Sequence, residues 1–111
     1  MQILFKENDF GKIEYRVPRA SEVFKLIRLC NVPMLDKDKL VSMSSSDQMQ
    51  IVENLIENMD DFIVSVNVII EDEIITDFKS AKERYELAPL LAEIAGDLMS
   101  FMNPTPKKKK S

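Results

Sequence analysis

Phe62-Ile63-Val64-Ser65-Val66-Asn67-Val68-Ile69-Ile70-Glu71-Asp72-Glu73-Ile74-Ile75-Thr76 is the stretch on which the fold class turns. Upstream of it, Met49, Val52, Ile56, Met59 and Ile63 recur at steps of three and four, with Leu55 and Phe62 widening the stripe. That rhythm is helical, and continuing it would take in Val66 and Ile70. Yet Val64, Val66, Val68 and Ile70 also alternate with Ser65 and Asn67, and β-branched residues dominate. The reading adopted is a helix to about Ile63, then an extended segment that turns at Glu71-Asp72-Glu73 and returns through Ile74-Ile75-Thr76. Sequence alone leaves the choice of helix or hairpin over 64–76 open.

On the N-terminal side, Ser44-Ser45-Ser46-Asp47 supplies the side-chain oxygens that start a helix. Ala20, Val23, Phe24, Ile27 and Cys30 share one face of an earlier helix over about 20–30, which Asn31-Val32-Pro33 stops. Cys30 then reads as a small buried hydrophobe rather than a reactive thiol. Before it, Ile3-Leu4-Phe5 and Ile13-Glu14-Tyr15-Arg16-Val17 read as two short strands about a turn near Asn8 to Gly11. Met34 to Met43 reads as an ordered loop or a short helical turn.

On the C-terminal side, a short helix is expected from Asp77 to Glu86, and a last one from about Leu87 to Met102 with Pro89 in its first turn. The fold class expected is mainly α: a single small helical domain over 1–103 with an N-terminal β-hairpin, then a disordered basic tail over 104–111.

Composition narrows the chemistry. The chain has 111 residues, no histidine, one cysteine and two glycines. The side chain best suited to proton transfer near neutral pH is missing, and neither a thiolate zinc site nor a glycine-rich phosphate loop can be assembled. No catalytic, cofactor-binding or metal-ligating residue is assigned. Glu71-Asp72-Glu73, with Asp77 nearby, lacks calcium-loop spacing and reads as a solvated turn. Four of the 15 basic residues are Lys107 to Lys110, so the rest of the chain carries 11 against 19 acidic ones, a net charge of −8. That balance disfavours a nucleic-acid surface. No apolar run reaches the roughly 18 residues of a membrane span, and the N-terminus lacks a signal-peptide pattern. A cytoplasmic protein is expected.

The last helix carries the candidate binding residues. Leu87, Leu90, Leu91, Ile94, Leu98 and Phe101 make a core face, and Ala88, Ala92, Ala95 and Met99 an apolar flank beside it. Together they span roughly 200°, about twice what a one-sided surface helix needs. Either neighbouring helices cover both flanks, or the small-residue flank docks a client or a second copy. The candidate partner-binding set is Ala88, Ala92, Ala95, Met99 and Met102. Of the seven methionines, Met49 and Met59 fit core packing. Met34, Met43, Met99 and Met102 suit either gap-filling or an adaptable surface.

Several stretches together resemble tail assembly chaperones of long-tailed phages, over roughly residues 15–111. They are the β-prone start ending in Val17-Pro18, the helix 20–30, Ile51-Val52-Glu53-Asn54-Leu55-Ile56-Glu57 leading into Phe62-Ile63-Val64-Ser65-Val66, and Ile75-Thr76-Asp77-Phe78. The last is Glu86-Leu87-Ala88-Pro89-Leu90-Leu91-Ala92-Glu93-Ile94 before a lysine-rich end. The resemblance implies a non-enzymatic assembly factor, absent from the mature virion, that coats the tape-measure protein and is displaced as tail tube protein polymerises. It also implies a longer frameshifted form, with Lys107 to Lys110 where the slippage would occur. A homo-oligomer is a further expectation. Competing readings are a minor connector or completion protein of a virion and an acidic regulatory module.

Overall fold

The computed structural model describes residues 2–30 and 45–102, the side chains of Leu29, Cys30 and Met102 excepted. The expectations for the Met34 to Met43 loop, the lysine tail and the Cys30 side chain lie outside the described residues.

The mainly α expectation is overturned: the described residues form one four-stranded antiparallel sheet with four helices. The strands are β1 (Ile3–Asn8), β2 (Gly11–Arg16), β3 (Ile63–Ile70) and β4 (Glu73–Ile75), in spatial order β1-β2-β3-β4. The helices are α1 (Ala20–Cys30), α2 (Ser45–Asn58), α3 (Phe78–Lys82) and α4 (Ala88–Met102). Both short hairpins are present where the alternation places them. What changes the class is that β2 pairs with β3, Ile13 opposite Val66 and Gly11 opposite Val68, welding the two hairpins into one sheet.

The period of two in β3 is realised as burial: Val66, Val68 and Ile70 are buried while Ser65, Asn67 and Ile69 are exposed. Ile13 and Tyr15 of β2 and Ile75 of β4 join them on the inner face. The helices supply Leu26, Ile51, Leu55, Phe78, Leu90, Ile94 and Leu98 to the same core, and Met59 and Phe62 come from the segment after α2. The outer face, carrying Ile3, Phe5, Ile69 and Ile74, stays exposed.

Two helical stripes are shifted from expectation. Among the described side chains of α1 the fully buried one is Leu26, flanked by half-buried Val23 and Ile27, while Phe24 is exposed. In α2 the buried residues are Ile51 and Leu55, and Met49 lies out in solvent. Periodicity defines an apolar arc, and the neighbouring helix and sheet select which edge of that arc is covered.

Turn chemistry closes the hairpins. Asn8 Oδ1 accepts from the N–H of Phe10 (2.9 Å) and Gly11 (3.3 Å), an Asx turn between β1 and β2. A Cβ on Gly11, whose φ is +155°, would land on the Asn67 carbonyl and within 2.7 Å of Val68 Cα. Glu71 (φ +50°) and Asp72 (φ +69°) form the β3–β4 turn in the left-handed region.

Candidate binding surface

A 3-10 turn, Tyr85–Leu87, leads into α4, and Arg84 beside it gathers Glu73 (2.7 Å), Glu86 (3.3 Å) and Glu71 (3.9 Å). The acidic turn is thus tied to the start of the last helix. Among the described residues no three carboxylate or cysteine groups are placed to share a metal ion.

Within α4, Leu90, Leu91, Ile94, Ala95 and Leu98 are buried, and Met99 and Phe101 pack half-buried against the core. The exposed side consists of Ala88, Pro89, Ala92, Glu93, Gly96 and Ser100. Ala88, Ala92, Gly96 and Ser100 stand four residues apart, so they line one ridge of the helix. A Cβ on Gly96 would meet nothing within 4 Å. Ser100 Oγ donates back to the Asp97 carbonyl at 2.6 Å, so its hydroxyl lies along its own helix. Glu93 is the one long side chain on this sector.

The five candidate residues therefore separate. Ala88 and Ala92 are exposed, Met99 is half-buried, and the Met102 side chain lies outside the described residues. Ala95, 0% exposed, is core and not available surface, a correction to its place on the flank. Gly96, Ser100 and Pro89 belong to the exposed sector and were missed. The i+4 ladder from Ala88 and Ala92 would have found Gly96 and Ser100. An apolar-only reading of the wheel passes over them, because glycine and serine do not count as apolar.

Asp97, its side chain 38% exposed, is tied to the sheet. The buried Tyr15 hydroxyl donates to its Oδ2, and Lys6 Nζ approaches the same oxygen at 3.8 Å. Burial, then the hydrogen bond to Asp97, hold the Tyr15 phenol well above its usual range. This contact clamps α4 onto β1 and β2 and sets which way the Ala88–Ser100 ridge faces.

At the other end of the helical layer, the Arg16 guanidinium grips Glu22 in a two-pronged pair (2.8 and 2.7 Å) and stacks over Phe62, 4.9 Å from the ring centre. Glu22 also accepts from the Arg19 backbone N–H at 2.8 Å, which caps α1. The bond to Arg16 and then that cap lower the Glu22 carboxyl to about 2. A pocket beside this pair, about 170 Å³, is lined by Glu22, Lys25, Leu26, Asn58, Asp61 and Phe62. It brings no nucleophile with a base and no phosphate cradle together.

Comparison with protein families, characterised proteins and solved structures finds no match. Among the described residues no helix is long and apolar enough to cross a membrane.

Proposed function

We propose that this chain is a non-enzymatic tail assembly chaperone, which binds helical, apolar segments of a tape-measure protein and helps recruit tail tube protein. The observation that carries the reading is the exposed ridge Ala88, Ala92, Gly96 and Ser100, bare of long side chains on a helix whose opposite side is core. A client helix could approach that ridge closely and bury apolar surface against α4. The sequence resemblance supports the same reading. Such contacts are individually weak, which suits release, and many copies along one client supply holding strength. The acidic body keeps a holder of apolar clients from aggregating with its own kind. The protein would act in the host cytoplasm, with a longer frameshifted form beside it, and be missing from purified virions.

Gly96→Leu separates binding from folding. Open space surrounds the site, and replacing a mid-helix glycine gains about 0.5–1 kcal/mol of helix propensity. Co-expression with the tape-measure protein followed by affinity capture is expected to recover the client with the native chain and lose it with Gly96→Leu, whose melting temperature rises. Capture that survives Gly96→Leu, or a native chain that retains no client, rejects the reading. Finding the protein in purified particles would favour a virion component instead.

A further inference from the structure

We infer that the free edge of β1 is a self-association surface, on which a second copy of this chain adds antiparallel to make one continuous eight-stranded sheet. The inference does not rest on the chaperone reading.

The two ends of the sheet are unlike. At one end β4 has three residues and leads directly toward α3, a short edge of the kind that resists pairing. At the other, β1 runs six residues with neither proline nor bulge. The register shift in the sheet lies between β2 and β3, at Glu14 and Tyr15. Val17 N–H donates to the Gln2 carbonyl at 3.1 Å, so Gln2, Leu4, Lys6 and Asn8 turn their backbone groups toward β2. Ile3, Phe5 and Glu7 turn theirs outward, and among the described residues nothing takes them up. On the outer face of the same strand, Ile3 is 42% and Phe5 54% exposed.

A second copy fits because the strand complements itself in one register. Antiparallel strands must oppose side chains of the same face, and three such overlaps oppose at least two of the outward-facing residues Ile3, Phe5 and Glu7. Centring on Lys6 sets two ammonium groups opposite each other. Centring on Leu4 leaves Glu7 unpaired. Centring on Phe5 pairs every outward group, with about six backbone hydrogen bonds, two per opposed pair. Phe5 then meets the partner's Phe5, and Glu7 meets the partner's Ile3, with no like charges opposed. Glu7 lies across from Lys12 in its own hairpin, and Ile3 across from Arg16. Glu7 therefore has Lys12 beside it and an uncharged side chain across the seam, while Arg16 stays engaged by Glu22.

Opposite charges introduced at Ile3 test the register. Sedimentation of the full chain over rising concentration is expected to show a dimer of weak affinity. Ile3→Glu opposes the partner's Glu7 and is expected to leave a folded monomer, since position 3 is already 42% exposed in the single chain. Ile3→Lys faces that Glu7 favourably and is expected to retain the dimer. By nuclear magnetic resonance, the amides of Ile3, Phe5 and Glu7 should gain exchange protection as concentration rises, whereas Leu4 and Lys6 are protected throughout. A native chain monomeric at every concentration, a dimer with those three amides unprotected, or Ile3 variants that behave alike would each overturn the inference.

Discussion

Gly11 shows how much one residue can hold. Its missing Cβ lets β2 lie against the Asn67 carbonyl, and nothing on that backbone can retreat without breaking the β2–β3 pairing. Gly11→Ala is expected to cost at least 2 kcal/mol, read as a fall in the denaturant midpoint with unchanged slope. The β3–β4 turn works the other way. Glu71 and Asp72 both occupy left-handed backbone, which residues other than glycine, asparagine and aspartate adopt at a cost, so the strain falls mainly on Glu71. Replacing them with the Asn-Gly pair that such turns favour should stabilise the fold by about 1 kcal/mol. No gain in melting temperature would mean that loss of the Glu71 contact with Arg84 outweighs the backbone term.

At the scale of elements, two polar fastenings hold the helical layer to the sheet. Arg16 and Glu22 join β2 to α1. Because the Glu22 carboxyl titrates lower in the folded state, to about 2, its contribution is complete above the unfolded carboxyl range near pH 4.5 and drains away as pH falls toward 2. That contribution is on the order of 2 kcal/mol. Glu22→Gln should therefore lower stability at neutral pH and flatten the acid limb of the stability curve. Tyr15 and Asp97 join β2 to α4. A phenol raised in the folded state contributes fully below its unfolded value, about 10, and its stabilisation is lost as pH climbs past that point. Tyr15→Phe is expected to cost about 1–2 kcal/mol and to blunt the alkaline limb.

Across the whole molecule the same clamp decides what α4 shows the outside. With Asp97 tied to Tyr15 and Ala95 sealed in the core, the described exposed side of α4 is the Ala88–Ser100 ridge with Pro89 and Glu93 beside it. Ala92→Glu should leave a folded protein, while Ala95→Glu should unfold it, since a carboxylate there would be buried without a partner. Circular dichroism melts of the pair check this directly. Equal tolerance of both would mean that α4 sits differently against the sheet. The β1 edge, unpaired among the described residues, lies on the opposite margin of the sheet from β4, so a strand-paired dimer would not involve the β4 end.

What the residues determine without help is whatever depends on near neighbours. The alternation in Val64 to Ile70, the polar punctuation at Asn8 and at Glu71-Asp72, the serine-rich start at Ser45 and the placement of Pro89 are local causes with local effects, and each element formed close to where they indicate. Tertiary structure decided the rest. The pairing of β2 with β3 joins residues about fifty positions apart, and no period or turn signal encodes a partner that distant. Likewise an apolar arc says that a helix will bury something, but only the packed sheet and the Tyr15 hydrogen bond choose which edge is covered, which sent Ala95 inward and left Gly96 outside. Secondary structure answers to torsions and spacing along the chain, whereas fold class and exposed surface answer to contacts across it.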